Sequence, residues 1–260
     1  HPKQLYAVGN IKLLNSNKTL AIVGSRACSY YGRKVTRLFS NEISNKGVCV
    51  VSGMASGIDS EAHDKAIENI GKTIAVLGNG LNYIYPPENE WLFNKILAND
   101  GCIITEHEKN KKPDLSIFPK RNRIISGLSD AILVVEAEHR SGSSVTVRYG
   151  KEYGKPIYAV PSNIDSITGV GTNNMIMDGA YLVTKPKHIL EKMDNFNYKT
   201  IDVPEEYAKI YSLLENPKGI NEIAKLLKIS VQDVNSTITM MELEGYITKN
   251  SQNEYKRGDT

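Results

Sequence analysis

Short apolar runs that alternate with helical segments restrict the fold of this chain more than any other part of its sequence. The runs are found at residues 20–23, 48–51, 73–77, 102–105, 131–135 and 157–160, with a weaker one at 181–183. Runs of this length are typical of strands that are buried on both faces of a parallel sheet. The alternation therefore predicts an α/β fold with a Rossmann-like, doubly wound, mostly parallel sheet. Residues 1–18 are predicted to be a polar lead-in before the first strand.

A smaller region follows the sheet-forming part. Residues 194–204 are polar and patternless, and they predict a linker between one domain at 1–193 and another at 205–260. The second domain is predicted to contain three helices and two short strands, at 205–216, 219–228, 230–245, 245–248 and 254–256. The net charge of the chain is +3, with +5 in residues 1–204 and −2 in the remainder. Contact with a polyanion is therefore expected in the larger region.

Cysteine spacing and hydropathy indicate the cellular compartment of the protein. Cys28, Cys49 and Cys102 lie far apart and form no Cys-x-x-Cys pair, which predicts reduced, buried thiols in a cytoplasmic protein. No apolar run approaches the roughly 18 residues that a membrane span requires, so no membrane contact is expected.

Glycines and hydroxyl residues follow successive predicted strands. The four turns are Gly24-Ser25-Arg26, Ser52-Gly53, Gly78-Asn79-Gly80 and Ser141-Gly142-Ser143-Ser144. Because the carboxyl ends of parallel strands share one edge of the sheet, these turns predict a single crevice lined by backbone amides, small hydroxyls and arginine. Glycine permits close approach of an extended ligand, and serine adds donors for phosphate oxygens. The alternative is that each glycine serves only ordinary turn chemistry.

A basic segment lies just before the strand at 131–135. Phe118-Pro119-Lys120-Arg121-Asn122-Arg123 begins a predicted short helix that is expected to point its charges and its unpaired N–H groups outward, toward a phosphate. With Lys109, Lys111 and Lys112 it gives six cations against Asp114 alone across residues 109–123. Cations beside an aromatic ring suit single-stranded nucleic acid, whose bases stack on the ring. Two alternatives remain open: a solvated basic helix, and a Phe118 ring that packs the helix start onto the sheet.

Several other chemistries lack their sequence signals. Gly71-Lys72-Thr73 leads into a strand and lacks the first glycine of a P-loop, and Gly78-Asn79-Gly80 lacks the third glycine of a dinucleotide fingerprint. The histidines and cysteines show no metal-ligand spacing, and no Gly-x-Ser-x-Gly elbow occurs. We therefore predict no cofactor, no metal and no catalytic residue. Asp59 and Glu61, near His63, are expected to cap a helix and to occupy its first turn.

The order and spacing of the motifs resemble those of the DNA processing protein A (DprA, also called Smf) family across residues 1–190. The residues that carry the resemblance are 21–26, 52–59, 85–86, 118–129, 134–137, 141–143 and 171–173. The resemblance implies a non-enzymatic, dimeric, bacterial protein that binds single-stranded DNA. It also implies that the protein loads the recombinase RecA onto incoming DNA in natural transformation.

The resemblance also implies which residues contact phosphates. The family's contacts map onto Ser25, Arg26, Gly53, Arg121, Asn122 and Arg123, although Pro87 stands where many members carry a lysine. With the residues of the predicted crevice and basic cluster, the full nucleic-acid-binding set is Ser25, Arg26, Gly53, Lys111, Lys112, Phe118, Lys120, Arg121, Asn122, Arg123, Ser141, Gly142 and Ser143.

The last domain resembles the small winged-helix domain that ends many members of this family. A winged helix usually places its third helix in the major groove of duplex DNA. Here residues 230–245 contain no Lys or Arg but do contain Asp233, Glu242 and Glu244. Because acidic residues repel phosphate, this helix is predicted to make a protein contact or to have a structural role.

Two other functions remain as alternatives. One is a nucleotide-processing, phosphoribohydrolase-like enzyme on a related fold, although such enzymes share a Pro-Gly-Gly-x-Gly-Thr turn where this chain has Ser141-Gly142-Ser143-Ser144. The other is a ligand-controlled transcription regulator, against which the acidic third helix argues.

Overall fold

The computed structural model describes residues 2–139, 141–195, 204–214, 216–244, 246–250 and 253–257. The chain divides into two compact units, His1–Phe196 and Asn197–Thr260. Each unit has a hydrophobic core of its own. The linker bounds of 194–204 stay a prediction, because most of those residues lie outside the described ones.

The described part of the first unit contains an eight-stranded sheet in the order β1-β5-β4-β3-β2-β6-β7-β8. Its strands are Tyr6–Gly9 (β1), Thr19–Val23 (β2), Cys49–Ser52 (β3), Thr73–Val76 (β4), Cys102–Thr105 (β5), Ala131–Val134 (β6), Ile157–Ala159 (β7) and Tyr181–Leu182 (β8). Strands β2 to β8 pair in parallel, and β1 pairs antiparallel with β5. The predicted α/β class and mostly parallel sheet are confirmed.

Helices separate the strands of this sheet. They are Tyr30–Asn45 (α1), Ile58–Ala66 (α2), Glu90–Ala98 (α3), Ile117–Leu128 (α4), Ser143–Glu152 (α5), Val170–Met177 (α6) and Lys187–Asn195 (α7), with short 3-10 helices at Ile11–Asn15 and Pro87–Asn89. Helix α1 shows how the sequence sets their limits. The Ser29 side chain accepts the Gly32 N–H at its start, and Gly47, with φ of +82°, follows its end.

The polar lead-in predicted for residues 1–18 is wrong. Residues Tyr6–Gly9 form β1, whose Gly9 lies opposite Cys102 of β5. Along this edge strand half-buried Tyr6 and Val8 alternate with exposed Ala7 and Gly9. Residues 5–8, Leu-Tyr-Ala-Val, form a short apolar run, so the sequence contained a strand pattern within the region predicted to be polar.

The second unit contains helices followed by a hairpin among its described residues. These elements are Glu205–Leu213 (α8), Ile220–Leu227 (α9), Val231–Leu243 (α10), Ile247–Lys249 (β9) and Tyr255–Arg257 (β10). Strands β9 and β10 are antiparallel. Val234, Ile238 and Met241 are fully buried, so one face of α10 packs into the core of this unit.

Two further features bear on the predictions from composition. Cys28, Cys49 and Cys102 are buried free thiols, as predicted. No helix in the described ranges is long and apolar enough to cross a membrane.

Candidate nucleic-acid interface

A crevice of about 460 Å³ opens beside the carboxyl ends of the sheet strands. It lies near β2, from which the sheet extends to β3 on one side and to β6 on the other. This reversal of strand order is the switch point at which open α/β sheets hold their ligands. Eight predicted residues line the crevice together, namely Ser25, Arg26, Phe118, Arg121, Asn122, Ser141, Gly142 and Ser143. The turn chemistry of the sequence therefore located a real concave site.

The other predicted residues lie outside the lining of this crevice. Lys111, Lys112 and Lys120 are exposed. Arg123 is half-buried, and its Nη2 contacts Glu106 Oε2 at 2.5 Å. Gly53 sits behind the wall of the crevice, against Arg121. Three of the predicted cations are thus open to solvent, and the fourth is paired with a carboxylate.

Arg121 is buried, which overturns the expectation that the start of α4 points this charge outward. Only 4% of the residue is exposed. Its Nη1 donates to the Gly53 carbonyl oxygen at 2.6 Å and also to the Val76 carbonyl oxygen, while Nε donates to Asn122 Oδ1 at 3.1 Å. Burial lowers the pKa of Arg121 to about 10, and the negative charge of Asp59 opposes this shift. The guanidinium is therefore fixed within the wall of the crevice.

Both backbone polar groups of Gly53, its N–H and its carbonyl oxygen, are hydrogen-bonded to side chains. Its N–H donates to Asp59 Oδ2 at 3.0 Å, and its carbonyl accepts from Arg121. A Cβ atom at this position would lie 2.6 Å from Arg121 Nη2 and 2.7 Å from Asp59 Oδ2, so only glycine fits. The Gly53 amide therefore serves an internal carboxylate and does not face a ligand.

Asp59 and Glu61 lie in the first turn of a helix, α2, as predicted, but no side-chain cap bond is made at the start of that helix. Asp59 is 8% exposed, and it lines the crevice. Burial raises the pKa of Asp59, while Arg121 and the Gly53 N–H oppose the rise. Sequence spacing held one signal for this role, because Asp59 and His63 are four residues apart and so share a helix face.

His63 is fully buried and braces the turn that follows β3. The Met54 N–H donates to His63 Nε2 at 3.4 Å, so the ring proton lies on Nδ1 and donates to Thr73 Oγ1 at 2.7 Å. Burial and, to a smaller extent, the charge of Arg121 together lower the pKa of His63 to about 3. Met54 has a φ of +61°, and its carbonyl accepts from Asn89 Nδ2 at 2.8 Å. Buried side chains thus hold this turn on several sides.

The opposite wall of the crevice is open. Arg26 is exposed, and among the described residues no hydrogen bond or ion pair engages its guanidinium. The Ser25 N–H donates to the Glu136 carbonyl oxygen at 2.8 Å, which fixes the turn that carries Arg26. Helix α5 begins at this wall, where Ser141 Oγ and Ser143 Oγ lie 2.6 Å apart. The Ser144 and Val145 N–H groups already donate to the Ser141 and Gly142 carbonyl oxygens, so the candidate anion site consists of the Ser143 N–H group and the exposed Arg26 guanidinium.

Phe118 packs within the protein. The residue is 8% exposed, and its ring stacks on that of Tyr85 with centroids 5.2 Å apart. A Cβ atom on Gly78 would lie 2.6 Å from Phe118 Cδ1. The Arg26 guanidinium carbon lies 5.7 Å from the ring centroid. These contacts support the packing role that the sequence left open beside base stacking.

Sequence reasoning missed the acidic members of the crevice. Asp59 and the exposed Glu138 both contribute to its lining. No group of three or more His, Cys, Asp or Glu side chains suited to a metal ion occurs in the part of the chain that the structure describes. Alongside apolar residues and these carboxylates, the lining contains hydroxyls, hydrogen-bond donors and an exposed arginine, which are groups suited to an anion.

An open α/β sheet with an anion-binding crevice at its switch point defines a phosphate-binding class of protein. Within that class, the family described as DNA recombination-mediator protein A matches residues 1–194, and the chain belongs to this family. It is a family of recombination mediators and not of enzymes. The family match thus disfavours the phosphoribohydrolase alternative.

Three related proteins illustrate this membership. Protein Smf of Escherichia coli is 43% identical over 205 residues, which are 79% of this chain and 54% of that protein. The structure describing the single-stranded DNA binding mode of DNA processing protein A from Helicobacter pylori gives a TM-score of 0.69 at 31% identity, over 75% of this chain and 88% of that chain. The Streptococcus pneumoniae DprA structure gives 0.68 at 40% identity, over 72% and 65% respectively. The chain thus spans about half the length of the E. coli relative.

Proposed function

We propose that this protein binds single-stranded DNA in the crevice and mediates recombination on the bound strand. The observation that carries the proposal is the open wall, where the exposed Arg26 lies beside the start of α5 at the switch point of the sheet. The single-strand binding described for the Helicobacter pylori relative supports the choice of ligand.

The predicted DNA-binding residues divide into two groups under this proposal. Ser25, Arg26 and the start of α5 hold phosphate groups within the crevice. Exposed Lys111, Lys112 and Lys120 extend the positive surface beyond the crevice, where they attract the strand without fixing it. Binding is therefore expected to show little sequence preference, because phosphate contacts carry no base information.

One titration tests this function. Labelled oligo(dT) and a matched duplex are added to the protein at two salt concentrations. We expect tighter binding to oligo(dT), with log affinity falling by about 0.7 per neutralised phosphate for each unit of log salt. Equal or tighter binding to duplex contradicts the proposal. Sequence-specific duplex binding favours the transcription regulator, and turnover of a nucleoside monophosphate favours the enzyme.

The finer role is to load RecA onto incoming DNA during natural transformation, in the cytoplasm. Membership of a recombination-mediator family supports this role. It predicts faster RecA filament formation on strands that are coated by single-strand-binding protein. Unchanged filament kinetics would remove this part of the proposal while leaving DNA binding intact.

The protein is also proposed to form a homodimer, so that one strand can cross two crevices. Strand β8 is an edge of the described sheet, and Tyr181 and Leu182 are about half exposed there. Met177, at the end of α6, is 86% exposed. Apolar residues on an unpaired edge suit pairing with the same edge of a second copy. Sedimentation that shows only monomer at micromolar concentration would contradict the dimer.

The second unit is proposed to be a winged-helix domain with a protein-contact or structural role. Its order of three helices and a hairpin among the described residues supports this classification. Helix α10 holds the position of a reading helix, yet its residues include no Lys or Arg. A cation-free helix has little to offer a phosphate backbone.

A further inference from the structure

We infer that Asp59 and Arg121 form a positioning pair, which fixes the turn after β3 and the start of α4 without touching DNA. The inference deepens the proposed function and rests on it. It assigns Asp59 a role in the site. It also makes Arg121 a residue that supports the crevice and does not contact phosphate.

The Gly53 peptide shows the pairing most directly. Asp59 accepts the N–H of Gly53, and Arg121 donates to its carbonyl oxygen. The missing side chain of Gly53 leaves the space in which the guanidinium and the carboxylate approach each other. One buried cation and one buried anion thus hold opposite ends of a single residue, and each charge compensates the other within the wall.

Three of the five N–H donors of Arg121 are already in use. Nη1 serves two carbonyl oxygens, those of Gly53 and Val76, and Nε serves Asn122 Oδ1. The residue is 4% exposed, whereas Arg26 on the facing wall is exposed. A phosphate that drew the Arg121 guanidinium out of the wall would have to break its bonds to buried carbonyls, and unpaired buried carbonyls are costly.

The support extends from Arg121 to the anion site itself. Arg121 binds Asn122 Oδ1, and Asn122 Nδ2 donates to the Gly142 carbonyl oxygen at 3.2 Å. Gly142 immediately precedes α5, and both Gly142 and the first helical residue, Ser143, line the crevice. Loss of either member of the pair is therefore expected to shift the start of α5 relative to Arg26.

A purely electrostatic effect and a positioning role predict opposite changes in DNA affinity for the Asp59 variant. Asp59→Asn removes a negative charge beside the crevice, which by itself strengthens phosphate binding, whereas Arg121→Met removes a positive charge and weakens it. Positioning predicts that both variants lose affinity. Because neither residue contacts phosphate, it also predicts an unchanged dependence of affinity on salt.

The experiment measures oligo(dT) affinity against salt for the wild-type protein, Asp59→Asn, Arg121→Met, the double variant and Arg26→Ala, well below each melting temperature. Glu61→Gln is the matched control, because Glu61 is a carboxylate of the same helix that pairs with Arg37. We expect each single variant of the pair to lose about fivefold, and the double variant to lose less than the product of the two because the residues are coupled. Only Arg26→Ala should lower the salt slope, by about 0.7.

Three results would overturn the inference. Tighter binding by Asp59→Asn would mean that charge alone matters, and a lower salt slope in Arg121→Met would make Arg121 a phosphate contact. Unchanged affinity in both variants would leave them with no role in binding. If wild-type protein does not bind oligo(dT), the proposed function fails first, independently of these variants.

A measurement on the unaltered protein guards against variants that do not fold. The NMR signals of the arginine side-chain Nε–H groups are followed while oligo(dT) is added. We expect the Arg26 signal to move and the Arg121 signal to keep its position and its slow exchange with water. A large shift of the Arg121 signal would contradict the inference.

Discussion

Two walls of one crevice carry an arginine each, and the two arginines differ in almost every physical respect. Arg121 is buried, donates to two backbone carbonyls and lies against Asp59. Arg26 is exposed beside the start of α5. A phosphate ligand finds an exposed guanidinium on the second wall, and on the first a buried one whose Nη1 and Nε donors are occupied. Burial and partners therefore separate the roles of these arginines, which a basic motif alone does not.

The difference also predicts how each wall responds to change. Asp59 and Arg121 are neighbouring buried charges, so removing one leaves the other uncompensated, which is destabilising. Removing an exposed cation costs little stability. Substitutions in the wall of Arg121 should thus affect stability and binding together, and substitutions at Arg26 should affect binding alone.

The largest effect is expected for Gly53→Ala. The added methyl group would lie 2.6 Å from Arg121 Nη2 and 2.7 Å from Asp59 Oδ2, so it would push the two charges apart. We expect a loss of about 3 kcal/mol in the free energy of unfolding. Urea denaturation measures it.

Gly142→Ala is the matched control for this substitution. Gly142 lines the facing wall, and a Cβ atom there meets nothing within 4 Å. Its stability should change by less than about 0.5 kcal/mol. Equal losses in the two variants would show that the walls do not differ in packing.

The second-largest effect is the contribution of His63 to the pH dependence of the free energy of unfolding. The folded protein protonates His63 only near pH 3, against an ordinary value of 6.5. Between these values the unfolded state binds more protons, so the free energy of unfolding falls as pH falls, by up to about 1.4 kcal/mol per pH unit. Burial raises the pKa of Asp59, which acts in the opposite direction.

His63→Gln removes the histidine contribution and leaves Asp59 in place. We expect the variant to lose less stability than the wild-type protein between pH 6 and pH 5. Parallel stability curves for the two proteins would show that His63 is accessible to protons in the folded state.

The third effect is on binding alone. Arg26→Ala should weaken oligo(dT) binding by about fivefold and lower the salt slope, while the melting temperature stays unchanged. Lys111→Ala and Lys112→Ala serve as comparisons, because these exposed lysines lie outside the crevice. Each should cost about twofold, since an exposed cation outside the crevice contributes mainly long-range attraction. Equal losses at all three positions would mean that the crevice has no special role.

Sequence reasoning was most successful where a rule depends on neighbouring residues. Continuous apolar runs predicted the strands from β2 to β8, and the shared edge of parallel strands predicted that Ser25 and Ser141 lie in one crevice. It failed for β1, although residues 5–8 form an apolar run as long as the run at 20–23. It also failed for Arg121, because the burial of a cation depends on partners that are remote in the sequence. Arg121 binds carbonyls that are 68 and 45 residues away.

The smallest effect is expected from the second unit. A shortened chain that ends at Pro204 lacks a segment with a net charge of −2, whose α10 contains no Lys or Arg. We expect it to bind oligo(dT) within about twofold of the full chain, or slightly more tightly. A loss greater than about tenfold would show that cations of this unit, such as Lys225 or Lys249, form a binding face.

A crystal structure of the protein with bound oligo(dT) would show which wall of the crevice holds the phosphates. We expect a phosphate group within about 3 Å of the Ser143 N–H group and of the Arg26 guanidinium. We also expect Arg121 to keep its bonds to the Gly53 and Val76 carbonyls in the complex. A strand that lies along Lys111 and Lys112 and leaves the crevice empty would contradict the account.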